Sequence, residues 1–246
     1  MAHSKTRPPL RPSLTVVIPA LNEERNLAAT VRSVSDATSG LVDSLEIIIV
    51  NDHSSDRTGA IAEELASQDP RILVVHNSMN MGLGYNFGRG VKLTSKDYLM
   101  MIPGDNENSA QSVTPVVEKL GEADLIIPYV VNPWVRTRTR RAISRIYVWT
   151  VNILCGLKVR YYNGTCAFRS RALQEIPMDT NGFAYVAKTL VRLLKRGYSY
   201  REVGVHLDQR GSGSSKAFRP RNIVQVVGSI ISLFWEVRIL RKGLGR

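Results

Sequence analysis

Asp105 and Glu107 stand two apart in the segment Pro103-Gly104-Asp105-Asn106-Glu107-Asn108, directly after the apolar run Tyr98–Ile102. Two carboxylates at this spacing in a loop can turn toward one hard cation, and oxygen ligands suit magnesium or manganese, which bridge to phosphate oxygens. Two more acid-bearing segments follow apolar runs, Pro19-Ala20-Leu21-Asn22-Glu23 and Asn51–Asp56. Asp56 reads as a helix N-cap, because a short oxygen-bearing side chain satisfies free helix amides. Asp52 comes too early to cap. Its carboxylate is expected to be free beside a strand end, able to accept hydrogen bonds from a base or ribose. Further along, Arg210 and Lys216 bracket the polar, glycine-rich segment RGSGSSK. Arginine offers phosphate a planar fork and lysine a movable point charge, although a plain surface connection would have the same composition.

These residues need a frame that brings them together. Short apolar runs at Leu14–Ile18, Leu45–Val50, Ile72–Val75, Tyr98–Ile102 and Asp124–Ile127 read as strands. Helical periodicity occupies Glu23–Ala37, Arg57–Ser67, Met81–Leu93 and Ser109–Leu120 between them. Continuous apolar strands alternating with amphipathic helices specify an α/β fold with a mainly parallel sheet covered on both faces. Ligands of such sheets bind beyond the carboxyl ends of the strands, where the three acid-bearing segments lie. After residue 130 the pattern changes to an arginine cluster and a mostly apolar helix within 136–158, a short element near Cys166–Arg169, a helix near Phe183–Arg196 and a strand at Tyr200–Leu207.

The bulk properties narrow the classes. Apolar residues make up 43% of 246, enough for a buried core. Cys155 and Cys166 are the only cysteines; they offer neither a disulfide framework nor a zinc pattern and read as buried small hydrophobes. No histidine has metal or nucleophile spacing, and His53 and His206 read as hydrogen-bonded bystanders. The net charge of +12 favours an anionic partner without choosing one. RNA could be read from Arg136–Arg145 with Trp134, Tyr147 and Trp149, but these aromatics have apolar helical spacing and are expected to pack, so no nucleic acid is expected. The glycines of Gly82–Gly88 could cradle the pyrophosphate of NAD(P), yet they follow the third strand rather than the first, and the third glycine is one residue late. Without an apolar leader or a run of ~20 apolar residues, the expected setting is cytoplasmic, free or against the cytoplasmic face of a membrane.

The ordered series VVIPALNEERNL, VNDHSSDRT, NMGLGYNFGRG, NGTCAFRSRAL, GFAYVAK, KRGYSYREVGV and RGSGSSK resembles the family 2 inverting glycosyltransferases of GT-A fold, in particular the dolichol- and polyprenyl-phosphate sugar (mannose) synthases, over nearly the whole chain. Asn51 and His53 stand where the family's V-D-D-G-S-x-D-x-T has aspartate and glycine, and Asn163 and Ala167 replace aspartate and glycine of D-x-T-S-G-F-R. Against the family's D-x-D-x-Q, a gapless alignment sets Pro103 at the first aspartate, Asp105 at the second and Glu107 at the glutamine; Asp105-Asn106-Glu107 can also be read as a D-x-E variant. Both alignments make Asp105 a ligand.

The resemblance implies transfer of a sugar from a UDP- or GDP-linked donor, with Mg2+ or Mn2+ at Asp105 and Glu107. It implies nucleotide-sugar contacts from Pro19, Leu21, Glu23, Asp52, Gly84, Gly104, Asp105, Arg210 and Lys216, with Asp105, Arg210 and Lys216 taking part in catalysis. It divides the chain into a loose tail (1–12), a transferase domain (13–221, with a nucleotide-sugar half to 130 and an acceptor half after it) and a C-terminal helix (222–246). Relatives that glycosylate hydroxyls use an acceptor-side aspartate as base. Here Gly182–Lys188 holds no acid, and Lys188 stands where phosphate-sugar synthases carry glutamate, which points to a polyprenyl-phosphate acceptor; Asp179 is close enough in sequence to serve as a base for a hydroxyl instead.

In the C-terminal segment, Gln225, Ser229, Ser232 and Glu236 form one narrow polar stripe in an otherwise apolar helix. Its length from 222 to 237, about 24 Å at ~1.5 Å per residue, is short of the ~30 Å hydrocarbon core. Flanking arginines suit a helix lying in an anionic membrane surface. Packing on the domain or on a second copy in a homo-oligomer is the other reading.

Overall fold

The computed structural model describes residues 11–180, 182, 184–207 and the single positions 228 and 235. Seven strands form one sheet in the order β3-β2-β1-β4-β6-β5-β7. They are β1 (Leu14–Ala20), β2 (Leu45–Asn51), β3 (Ile72–His76), β4 (Tyr98–Met101), β5 (Leu125–Val130), β6 (Ala167–Arg169) and β7 (Tyr200–Val205). The helices are α1 (Leu27–Thr38), α2 (Thr58–Gln68), α3 (Leu83–Leu93), α4 (Ala110–Val117), α5 (Arg138–Cys155), α6 (Ser170–Gln174) and α7 (Tyr185–Lys195). The α/β alternation expected from periodicity is present. Two short elements were not anticipated: a 3-10 turn at Pro133–Val135 and α6, whose five residues are too few to show a helical period.

All pairings are parallel except those of β6, which is antiparallel to both β4 and β5. A strand from beyond residue 130 therefore lies between two strands from before it. The halves on either side of residue 130 share one sheet.

The central strands are apolar throughout because both of their faces are buried. Side chains alternate across the sheet. Val17, Ile48, Val50, Leu99 and Phe168 face a core completed by Phe87 and Val91 of α3, Val151 and Cys155 of α5, and Leu190 and Leu193 of α7. Val16, Ile18, Ile47, Ile49 and Met100 face a second core completed by Leu27, Val31 and Val34 of α1, Ala62 of α2 and Val113 and Val116 of α4. Gly90 lets α3 lie directly on β1, since a Cβ there would come within 2.2 Å of the Val17 side chain. Cys155 and Cys166 are free and buried, as expected of small hydrophobes.

Helix α5 departs from expectation. Tyr147 and Val148 pack on the core, but Trp149 is 65% exposed and Trp134, in the 3-10 turn, 70% exposed. Apolar residues occupy two faces of this helix, and only one of them is covered. Ile143, Ile146, Trp149 and Ile153, spaced three, three and four apart, form the outward stripe. No helix among the described residues is long and apolar enough to cross a membrane.

Candidate functional site

The loops after β1, β2, β3 and β4 are joined into one rim at the carboxyl ends of the strands. The Asp52 and Ser54 donors reach Ala20 O, at 2.9 and 3.4 Å. Asn22 N–H donates to Ser54 Oγ (3.0 Å), and Asn22 Oδ1 accepts Ser55 N–H (2.9 Å). Glu23 N–H donates to Thr58 Oγ1 (2.8 Å), while Glu23 Oε2 accepts from Asn26 Nδ2 (2.8 Å). The loop after β4 attaches to the first through Gly104 N–H to Pro19 O (3.0 Å) and Asn106 N–H to Thr30 Oγ1 (3.1 Å). Gly104 is needed for this closeness: a Cβ there would lie 3.2 Å from Ala20 Cβ and 3.3 Å from Pro19 O.

Each acid-bearing loop contains one residue in the left-handed region: Asn22 (φ 56°), His53 (φ 65°) and Asn106 (φ 54°). Asparagine tolerates this conformation, and histidine does so at a cost. The glycine of the resembling motif at position 53 has this physical basis. The His53 side chain is exposed and has no partner among the described residues, as is true of His206; neither is the hydrogen-bonded group expected.

Asp52 is the main correction to the sequence reading. Its carboxylate is not free. At 4% exposure it accepts Asn77 Nδ2 (2.7 Å) and Met81 N–H (2.8 Å) at Oδ1, and Gly82 N–H (2.9 Å) at Oδ2. It fastens the start of α3, and with it Gly84, to the end of β2. Asn77 also donates to Asn86 Oδ1 (2.7 Å), which extends the buried network into α3. Asn51 is equally engaged: Oδ1 accepts Ser54 N–H (3.1 Å), and Nδ2 meets His76 Nδ1 (2.9 Å).

Asp56 is not itself the N-cap expected, since Arg57 holds that position; one residue earlier, it accepts from the N–H and hydroxyl of Thr58, the first residue of α2. Burial works against its charge, but hydrogen bonds from the Thr58 hydroxyl and N–H and from Glu24 N–H outweigh it and hold the carboxyl below its usual range.

Asp105 is half-buried and Glu107 exposed at the same rim. Glu107 N–H donates to Asp105 Oδ1 (3.2 Å), closing the turn in which Asn106 takes its left-handed conformation. No cluster of three acidic, histidine or cysteine side chains exists among the described residues. Two carboxylates still fit magnesium or manganese, ions that take one or two from protein and fill the octahedron with phosphate oxygens and water. The rim thus carries Pro19, Leu21, Glu23, Asp52, Gly104, Asp105 and Glu107, with Gly84 in the first turn of α3. Arg210 and Lys216, like the helix expected over 222–246, lie outside the described residues.

On the acceptor side, Asp179 is held in an ion pair. Arg192 Nη1 and Nη2 reach its Oδ1 and Oδ2 at 2.8 and 2.9 Å, and Lys188 Nζ lies 3.4 Å from Oδ1. The Arg192 hydrogen bonds, opposed by partial burial and helped by the charges of Arg192 and Lys188, lower its carboxyl to about 2. Sequence reasoning named Asp179 and Lys188 but missed Arg192, which faces them one helical turn beyond Lys188.

The profile described as Glycosyl transferase family 2 matches residues 15–176. The chain is 26% identical over 239 residues to Glycosyltransferase AglD of Haloferax volcanii, spanning 92% of this chain and 38% of that protein. It is 26% identical over 242 residues to the undecaprenyl-phosphate mannosyltransferase of Micrococcus luteus, spanning 93% and 98%. Among solved structures, glucosyl-3-phosphoglycerate synthase from Mycobacterium tuberculosis with Mn2+, UDP-glucose and phosphoglyceric acid shares the fold, with TM-score 0.66, 22% identity and coverage of 91% of this chain and 80% of that one.

Proposed function

This chain belongs to glycosyl transferase family 2 and has the GT-A fold, and from that premise we propose that it moves a sugar from a UDP- or GDP-linked donor onto a polyprenyl phosphate, with inversion. The observation that carries the acceptor assignment is the state of Asp179. A hydroxyl nucleophile needs a base whose pKa is close to working pH. Between residues 131 and 188 the sequence offers only Glu175 and Asp179 as acids. Asp179 is clamped by Arg192 and held near 2, too weak a base to take an alcohol's proton. A phosphate monoester has its second pKa near ~6 and is already an anionic nucleophile at neutral pH.

In this mechanism the acceptor oxygen forms a bond to the anomeric carbon as the bond from that carbon to the diphosphate oxygen breaks. The nucleoside diphosphate leaves from the opposite face with the bonding electrons. The rim of Pro19, Leu21 and Glu23 positions the nucleoside part, with Asp52 holding the start of α3 beside it and Gly104 letting the loop after β4 close on Pro19 and Ala20. A divalent cation held by Asp105 and Glu107 would supply Lewis-acid stabilisation of the departing diphosphate. Arg210 and Lys216 are assigned cationic contacts to the same group.

A lipid-borne acceptor also fits the outward stripe of α5. Between Asp124 and Glu175 the sequence has no acid but nine lysines and arginines, of which Arg138, Arg140, Arg141 and Arg145 lie on α5. An exposed apolar stripe with arginines beside it suits a helix resting in an anionic membrane surface.

The assay is transfer from labelled UDP- and GDP-sugars to a polyprenyl phosphate, the matching free polyprenol and simple saccharides. Transfer to the phosphate alone is expected. Transfer to a hydroxyl and never to the phosphate would overturn the acceptor assignment.

A further inference from the structure

The ends of β2 and β3 are joined by side chains as well as by the sheet. Asn51 and His76, the last residues of the two strands, pair in register. A backbone N–H can only donate, so the bond from Ser54 N–H fixes which end of the Asn51 amide is oxygen. Oδ1 faces Ser54 at 3.1 Å, and Nδ2 faces His76 Nδ1 at 2.9 Å. The amide nitrogen offers only hydrogens, so Nδ1 must accept. The proton of a neutral imidazole then sits on Nε2, which lies 2.8 Å from Glu63 Oε1, a carboxylate that accepts it. Both neighbours select the same tautomer. Gly59 lets α2 close over the contact, since a Cβ there would come within 2.8 Å of Asn51 Nδ2 and 3.4 Å of His76 Cε1.

A second proton on His76 would set N–H against N–H at Nδ1. Turning the Asn51 amide over does not relieve this, because its NH2 group would then face Ser54 N–H. Ser54 is the residue that joins the loops after β1 and β2: its Oγ accepts Asn22 N–H at 3.0 Å and lies 3.4 Å from Ala20 O. The residue after His76 does a parallel job. Asn77 donates its N–H to Asn51 O at 2.9 Å and its Nδ2 to Asp52 Oδ1 at 2.7 Å. Two successive residues at the end of β3 thus hold two successive residues at the end of β2. Among the described residues, the charged groups against His76 are Glu63 of α2, at Nε2, and Arg89 of α3, whose Nη1 reaches His76 O at 3.3 Å.

We infer that His76 is a positioning residue of the donor rim. Neutral and protonated on Nε2, it fixes the Asn51 amide and, through Ser54, the loop after β2 against the loop after β1. Taking up a second proton at His76 loosens that attachment. Asn51 stands where the resembling motif has aspartate, a side chain that would accept from Nδ1 rather than donate to it. The need for a neutral imidazole therefore belongs to this Asn51–His76 pair. The inference rests on the reading of this rim as the donor site.

The test joins nitrogen NMR of the full chain with binding of UDP and GDP in the presence of Mg2+. At neutral pH the His76 ring should carry its proton on Nε2 and none on Nδ1; the opposite tautomer overturns the inference. His76→Phe keeps a ring at a half-exposed strand end but removes the acceptor. It should speed hydrogen exchange at Ser54 N–H and weaken nucleotide binding by roughly fivefold, the equivalent of one net hydrogen bond. His76→Gln, whose side-chain oxygen can accept in place of Nδ1, should restore most of both. Ser54 exchange and nucleotide affinity unchanged in His76→Phe would overturn the assignment. In wild type, nucleotide affinity should fall as His76 takes up its second proton, followed by NMR on the same sample. Asn51→Asp should reverse that sign, because a carboxylate oxygen accepts from Nδ1–H while the other keeps Ser54. An Asn51→Asp protein with the pH dependence of wild type would also overturn it. If wild type binds neither UDP nor GDP, the donor reading fails, and the tautomer with Ser54 exchange decides the role of His76 without it.

Discussion

At the scale of single residues, Asp105, Asp52 and Asp179 have three different jobs, set by what surrounds each. Asp105 is half-buried and shares its turn with Glu107, so it remains available to a cation. Asp105→Asn should lower turnover by roughly a hundredfold or more while leaving the melting curve unchanged, since ligand loss acts on metal affinity and charge stabilisation. Full activity in that variant, or in excess chelator, would remove the metal assignment. Asp52 makes the opposite prediction. Its three accepted hydrogen bonds hold the start of α3, so Asp52→Ala leaves buried donors unsatisfied and should cost about 2–3 kcal/mol in urea unfolding. A purely ligand-facing Asp52 would leave stability untouched. Asp179 links to pH. Its folded pKa, about 2, lies below the usual 3.8, so its contribution is fully present above about pH 4 and is lost as pH falls toward 2. The side chain is 49% exposed, so screening cuts the benefit to about 1 kcal/mol. The stability gap between wild type and Asp179→Asn, measured at pH 6 and again near pH 3, should narrow at the lower value.

At the scale of elements, what could be read from sequence followed the range of the causes. Strands β1, β2 and β4 were legible because burial of both faces writes a continuous apolar run, and helices α1 to α4 because one covered face writes a period. The three acid-bearing loops were legible as a set from their places after strands. Their backbone strain was partly legible: His53 at a motif glycine marks a left-handed position, which the structure has at φ 65°. The engagement of Asp52 could not be read, because Met81 and Gly82 lie about thirty residues away and no local pattern joins them. The insertion of β6 between β4 and β5 was hidden for the same reason, since three residues carry no alternation from which pairing could be inferred. Helix α5 misled because its apolar residues occupy two faces, and periodicity alone does not say which face meets the core.

At the scale of the whole molecule, charge and exposed apolar surface coincide. The chain carries a net +12, and its acid-free stretch from 125 to 174 includes the helix with the uncovered stripe. Ile143, Ile146, Trp149 and Ile153 run along about 15 Å of α5 at ~1.5 Å per residue, with Arg138 and Arg145 exposed beside them. A soluble partner would need an acidic, apolar-centred face of its own, whereas an anionic bilayer presents both features over any area. The full chain should therefore sediment with vesicles containing anionic lipid at low salt, and less so at high salt, where the arginine contribution is screened. Ile146→Ser with Trp149→Ser removes apolar area without changing charge. At about 1.5–3 kcal/mol for burying each large side chain, that pair should weaken vesicle binding by at least tenfold while leaving melting temperature and transfer to a water-soluble short-chain phosphate acceptor unchanged. A second copy on the same stripe would give another result: dimers in the absence of lipid, dissociated by the double substitution. If the wild-type chain never sediments with anionic vesicles at low salt, α5 does not rest on a membrane.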